Sequence, residues 1–137
     1  MRHLKTKRHP QGVVAIEAAL VLPVLVAVIL GGLQYGWLFL KQQEITNVVR
    51  HAVRYATLPD VGFSDAKTMI NTRLGLLGID SGAVIESTVA WVDSTANDVG
   101  DALYAQVSID AEAVDIINFF PAPDKLTAHA TMSKEGP

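Results

Sequence analysis

The sequence predicts an α+β protein, in which a long N-terminal transmembrane and stalk helix is followed by a second helix and a small three-stranded antiparallel sheet. Three observations predict this class. A long apolar run lies near the N-terminus, apolar residues recur with a helical period after it, and apolar and polar residues alternate with a period of two in the C-terminal half. The predicted domains are a basic leader at 1–12, a transmembrane and amphipathic stalk helix at 13–57, and a small α+β domain at 58–137.

The first element is an apolar run long enough to cross a membrane. From Ala18 to Leu40 the chain carries no charge, and Gln34 is the one strongly polar residue. A helix needs about 20 apolar residues to cross a hydrocarbon core of roughly 30 Å, and this run has 23. Pro23 is tolerated in a membrane helix. Gly32 and Gly36 form a G-x-x-x-G pattern, which either lets another helix approach closely or arises by chance in a glycine-containing anchor.

The charges around the run predict its orientation. The first ten residues contain no acidic residue. They contain four basic ones: Arg2, Lys5, Lys7 and Arg8. Only Lys41 follows closely. Because cytoplasmic flanks carry the excess of positive charge, we expect a cytoplasmic N-terminus and a single pass that places the C-terminal domain in the periplasm. Tyr35 and Trp37 suit the far membrane–water boundary.

Three interpretations of this segment compete: a secretory signal peptide, a plain signal anchor, and a leader that is cut before the apolar run. The run exceeds the 7–15 residues usual in a signal peptide, and no A-x-A-like site follows it. Glu17 decides between the other two. A carboxylate within a membrane segment is costly and usually functional, and a plain anchor gains nothing from it.

A cut between Gly12 and Val13 gives Glu17 a role. It makes Glu17 the fifth residue of the mature chain and gives Val13 a free α-amino group. The ammonium group then pairs with a carboxylate, its own or a neighbour's, inside a bundle of apolar helices. Because an opposite charge offsets the cost of burial, we predict that Glu17 sets the register between subunits.

The same stretch resembles a known family. A basic leader, Gly12, Glu17, the Leu22-Pro23 pair, the region 31–37 and the run 50–56 are similar to the TadE-like minor pilins, or pseudopilins, of the tight-adherence (Flp) pilus system. The resemblance covers roughly residues 8–57. It implies cleavage after Gly12 by a prepilin peptidase and residence in the bacterial inner membrane before assembly. It also implies other pilin subunits, the pilus assembly machinery and membrane lipid as partners.

Two departures indicate the minor class rather than the major pilin. The major Flp pilins usually carry an aromatic residue after the glutamate, whereas this chain has Ala18. They are also very short, whereas this chain has about eighty more residues after the predicted stalk helix ends at residue 57.

Beyond the anchor, helical periodicity continues to Thr57. One apolar stripe recurs at i, i+3, i+4 and i+7: Ile45, Val48, Val49, Ala52, Val53 and Ala56. A break follows at 58–62, and a second helix is expected to start near Ser64 as N-cap, with Asp65 in its first turn. Its apolar residues are Ala66, Met69, Ile70 and Leu74, and Gly75 and Gly78 end it.

Three stretches alternate with a period of two, which is typical of half-buried antiparallel strands. In 83–92 the predicted inward residues are Ala83, Ile85, Val89 and Trp91. In 101–111 they are Leu103, Ala105, Val107, Ile109 and Ala111, and in 125–133 they are Leu126, Ala128, Ala130 and Met132. The apolar run 116–120 either fills the core beneath the sheet or forms a contact patch for a partner subunit.

Composition argues against several other functions. After Leu40 there are 7 basic residues against 13 acidic ones, which opposes nucleic-acid binding by the outer domain. The chain has no cysteine. No H-E-x-x-H, phosphate-binding loop or nucleophile elbow is present, so we expect no catalytic residue, metal or cofactor. The acidic stretch 93–101 reads as a polar hairpin turn rather than a calcium loop, because it lacks the EF-hand pattern.

The sequence thus favours a minor pilin or pseudopilin that acts by assembly in the biogenesis of a tight-adherence pilus. The alternative is an uncleaved bitopic inner-membrane protein whose outer domain binds a partner or ligand. An envelope enzyme is the weakest hypothesis, since no site supports it.

Overall fold

The structure is a computed structural model, and it describes residues 11–58, 60–92, 101–116 and 120–133. The chain forms helices α1 (Gln11–Ala56) and α2 (Phe63–Leu76) and strands β1 (Val84–Trp91), β2 (Ala102–Asp110) and β3 (Lys125–Ser133). Short 3₁₀ turns lie at Ser81–Ala83 and Glu112–Val114. The predicted α+β class is confirmed. The chain divides into two compact units, of which the first ends at Leu33 and the second begins at Gln34, within α1.

The first unit contains the apolar part of α1. Its large apolar side chains, among them Val13, Ile16 and Leu20, are exposed. In the part of the chain that the structure describes, α1 is the one helix long and apolar enough to cross a membrane, with a mean hydropathy of 2.9 in its most apolar window. Pro23 lies inside the helix without ending it.

The second unit has its core between the helices and the sheet. All six residues of the predicted α1 stripe are buried, at 6% exposure or less. On α2 the buried residues are Ala66, Ile70 and Leu74. Met69 is only partly buried and packs against this core. The 3.6-residue period therefore predicted both helical faces correctly.

The start of α2 differs from the prediction by two residues. The N-cap is Gly62, not Ser64. The Asp65 carboxylate turns back and accepts a hydrogen bond from the Gly62 N–H at 3.1 Å, which satisfies one of the donors at the helix start. At the other end Gly78 has φ +74°, and the Ile79 N–H donates to the Leu74 carbonyl at 3.0 Å. Glycine adopts this left-handed conformation without steric cost, so it ends the helix here.

The sheet has the order β1-β2-β3, and both pairs are antiparallel. On the central strand every predicted inward residue is fully buried: Leu103, Ala105, Val107 and Ile109. On β3 the predicted face is buried at Leu126 and Ala128, but Met132 at the strand's end is 38% exposed. The inner face of the sheet is thus covered more completely at the start of β3 than at its end.

The prediction for Ile85 was wrong. Its side chain is 62% exposed, because the register of β1 against β2 shifts between Val84 and Glu86. At such a bulge one strand carries an extra residue, which reverses the alternation of inward and outward side chains. Val84 is consequently aligned with Ile109 and packs against the core in place of Ile85.

The contrast between two isoleucines provides a test of the core. We expect Ile109→Ala to lower the free energy of unfolding by about 2–5 kcal/mol, because a fully buried side chain leaves a cavity. Ile85→Ala, on the neighbouring strand, should change it by less than about 0.5 kcal/mol. Urea unfolding of the detergent-solubilised chain, followed by tryptophan fluorescence, measures both. Equal effects of the two substitutions would contradict this assignment of the inner face.

Candidate functional site

The predicted processing and register residues lie in the first turns of α1. Gly12, Val13 and Glu17 are all helical and exposed. Val13 and Glu17 are four residues apart, so their side chains are neighbours on one face of the helix. A Cβ added at Gly12 would meet nothing within 4 Å. Nothing in the packing of the described residues therefore requires either the glycine or the carboxylate.

The candidate helix-packing residues Pro23, Gly32 and Gly36 are also exposed on α1. A Cβ added at Gly32 would have no neighbour within 4 Å. The same is true of Gly36. The two glycines thus leave open surface on α1, as a contact with another helix would require.

A site that the sequence interpretation missed begins directly after this segment, at Gln34. Its side chain is 1% exposed. The Gln34 amide nitrogen donates to the Asp115 carboxylate at 2.9 Å and to the Phe120 carbonyl at 3.1 Å. Its amide oxygen accepts from the Phe120 N–H at 3.2 Å. One side chain therefore bonds both backbone groups of a residue 86 positions away.

Two aromatic residues extend this attachment. The Tyr35 hydroxyl donates to the Pro121 carbonyl at 2.7 Å, and the Trp37 indole N–H donates to the Val114 carbonyl at 2.9 Å. Both residues were predicted at a membrane–water boundary, where rings with one polar end are favoured. The polar end of each ring here binds the connection between β2 and β3. This connection is thereby attached to the turn of α1 that begins the compact unit.

Lys41, one helical turn after Trp37, makes further contacts between α1 and the rest of the compact unit. Its ammonium group donates to the Glu44 carboxylate at 2.9 Å and to the Leu77 carbonyl at 3.0 Å. It also lies 5.1 Å from the centre of the Trp37 ring, a cation–π distance. We name residues 34–41 with the loop 112–124 the attachment region. Its one sequence signal was Gln34 itself, since an uncharged polar residue in an apolar run requires a partner when it is buried.

Two predictions fall partly outside the described residues. The 93–101 turn is described only at Asp101, so its assignment as a hairpin turn stays a prediction. In the 116–120 run Ile116 is 60% exposed and does not fill the core, while 117–119 lie outside the described residues. Among the described residues, no three His, Asp or Glu side chains come together as a metal site would require.

A comparison with protein families places the predicted site residues within one known family segment. Residues 12–54 match the family model described as TadE-like protein, which is 43 of the 137 residues. The match confirms the resemblance and associates the chain with the tight-adherence pilus and its components. Together with the one apolar helix of the described residues, it indicates a membrane-anchored protein. No curated protein and no solved structure matched in the corresponding comparisons.

Proposed function

We propose, from the premise that residues 12–54 are TadE-like, that this protein is a minor pilin or pseudopilin in the biogenesis of a tight-adherence pilus. It acts by assembly and not by catalysis. A prepilin peptidase removes the leader after Gly12, and the mature chain resides in the inner membrane with its α+β domain in the periplasm or on the pilus surface. The observation that carries the proposal is the Val13–Glu17 pair, exposed on an apolar helix within the matched segment.

The length of the exposed apolar helix supports this proposal. After a cut at Gly12, the helix from Val13 to Leu33 has 21 residues before the compact unit begins at Gln34. At about 1.5 Å per residue it is about 31 Å long, which matches a hydrocarbon core of about 30 Å. We therefore place the end of the lipid-facing part of α1 near Leu33, since Gln34 and Leu38 are buried within the compact unit.

The position of Glu17 explains how subunits would find their register. In lipid, a lone carboxylate near the end of an apolar helix is unfavourable. The new ammonium group at Val13, one helical turn away, offsets this cost within one chain or between neighbours. Pairing between neighbours holds one helix at a defined axial offset from the next. Gly32 and Gly36, each with open space, would allow these helices to approach closely.

The leader cut is tested by intact mass of the protein extracted from membranes. The wild-type chain should have the mass of residues 13–137. Gly12→Asp should retain residues 1–12, because a larger, charged side chain replaces the small residue required at the cut. Gly82→Asp is the matched control, since Gly82 also has open space around it but lies in the outer domain. A Gly12→Asp product of wild-type mass would refute cleavage at this position.

The second candidate function shares the anchor and the topology. An uncleaved bitopic inner-membrane protein would use its outer domain to bind a partner or ligand. It is distinguished by the same measurement, because its N-terminus would lie upstream of Gly12 in the wild-type protein.

A further inference from the structure

The charges of the compact unit are separated between its two layers. The helical layer, residues 34–56 and 63–76, has five basic residues against two acidic ones: Lys41, Arg50, Arg54, Lys67 and Arg73 against Glu44 and Asp65. The described part of the sheet and its connections, from 84 onward, has one basic residue against six acidic ones: Lys125 against Glu86, Asp101, Asp110, Glu112, Asp115 and Asp124. The helical layer is positive and the sheet layer is negative.

Arg50 and Arg54 lie on a different surface of the compact unit from Asp110. Arg50 and Arg54 are exposed and four residues apart, so they form one stripe on the side of α1 that faces away from the sheet. Asp110 follows Ile109 on β2, and Ile109 is fully buried against the helices. Successive side chains of a strand point to opposite faces, so Asp110 lies on the outer face of the sheet.

The acidic surface is concave. A pocket of about 480 Å³ is lined by four carboxylates, Asp110, Glu112, Asp115 and Asp124, and by the apolar side chains of Ile85 and Pro121. Ile85 reaches this pocket because the β1 bulge turns it outward. The pocket therefore combines negative charge with an apolar wall, and the long aliphatic stem and charged end of an arginine fit such a surface.

The positive surface forms few ion pairs with the residues that the structure describes. Among residues 11–58, 60–92, 101–116 and 120–133, the one ion pair within 4 Å is Lys41–Glu44. Arg50 and Arg54 thus present their charges to solvent, on a helix face that makes no ion pair in the described structure. Complementary potentials of this kind orient partners and set their register.

We propose that a second copy of this chain docks its Arg50 and Arg54 stripe into the acidic pocket around Glu112 and Asp124. Because the two surfaces differ, the contact is head-to-tail. Such a contact repeats from subunit to subunit and builds an open helical array unless the rotation closes a ring. This inference rests on the proposed function, to which it adds a contact between the compact units beside the one between membrane helices.

Cysteine cross-linking in membranes tests the contact directly, since the wild-type chain has no cysteine. Asn47→Cys lies on the exposed side of α1 near the arginine stripe, and Ile85→Cys lines the acidic pocket. Two full-length chains, one with each substitution and with tags of different size, are co-expressed and oxidised. A head-to-tail contact yields the mixed adduct. Adducts of Asn47→Cys with itself, or of Ile85→Cys with itself, in place of the mixed one would overturn the proposal.

Charge reversal identifies the groups responsible. Arg50→Glu with Arg54→Glu, or Glu112→Lys with Asp124→Lys, should lower the yield of the mixed adduct by at least about tenfold, because like charges then face each other. Introducing all four substitutions into both chains restores complementarity and should restore the adduct. Lys67→Glu on α2 is the control for net charge and should leave the yield unchanged.

Three results would overturn the docking proposal: no mixed adduct, an adduct unaffected by charge reversal, or no recovery in the fourfold variant. A different protein or an anionic lipid as the true occupant would give the first of these. Intact mass from the same membranes reports separately on the proposed function. A chain that begins at Val13 without the adduct refutes the docking surface alone, whereas a chain that retains residues 1–12 refutes the processing.

Discussion

Gln34→Met is expected to lower the free energy of unfolding of the compact unit by about 3 kcal/mol. Methionine has a similar shape, so the change removes three hydrogen bonds with little change in packing. Each of the two bonds to the Phe120 backbone contributes about 0.5–1.5 kcal/mol, and the bond to the Asp115 carboxylate about 1.5–3 kcal/mol. The effect is large because Gln34 is almost fully buried, where water cannot replace the lost bonds.

Urea unfolding of the full chain in detergent, followed by tryptophan fluorescence, measures this loss as a lower midpoint. Gln43→Met is the matched control, since Gln43 lies on the same helix but is exposed. Amide hydrogen exchange adds a local readout. Protection should fall first in the 112–116 and 120–124 parts of the attachment region. If Gln34→Met and Gln43→Met shifted the midpoint equally, the role assigned to the Gln34 amide would be wrong.

The attachment region bears on function because of its place in the chain. Gln34 directly follows Leu33, the last residue of the first unit. Gln34, Tyr35 and Trp37 bind the connection between β2 and β3 within a single turn of α1. We therefore expect the first turn of the compact unit to be among its more rigid parts. A rigid first turn would hold the connection that carries Glu112 and Asp124 in place for the proposed docking contact.

Glu17→Ala is expected to leave leader cleavage intact and to reduce pilus yield by at least about tenfold. Alanine lowers the cost of placing the helix in lipid, so insertion should proceed normally. It also removes the only carboxylate available to the Val13 ammonium group within the apolar segment. The amine then lacks an opposite charge in the helix bundle, and neighbouring subunits lose their register.

The measurement combines two readouts from one strain: intact mass of the membrane-extracted protein and the yield of sheared pili. Glu44→Ala is the control, because Glu44 is the other glutamate of α1 and lies in the compact unit, outside the apolar segment that contains Glu17. Wild-type pilus yield from the Glu17→Ala strain would exclude Glu17 from assembly. Retention of residues 1–12 would instead assign Glu17 to recognition by the peptidase.

Several elements could be predicted because a short stretch of sequence contains their cause. The buried stripe of α1 and the inward row of β2 follow from periods of 3.6 and 2, which reflect backbone geometry alone. The start of α2 was misplaced because Ser64 and Gly62 are both acceptable N-caps. The choice depends on where Asp65 turns its carboxylate. Ile85 was misplaced because a bulge changes the alternation without changing the local composition.

The sequence by itself determined the apolar helix, the position of Glu17 relative to Gly12, and the class of the fold, since each follows from residues that are close together in the chain. Only the tertiary structure decided that Gln34 binds the Phe120 backbone and that Ile85 lies beside four carboxylates in one pocket. These contacts join positions as much as 86 residues apart. Their partners are chosen by the packing of helices on the sheet, which no local period of the sequence specifies.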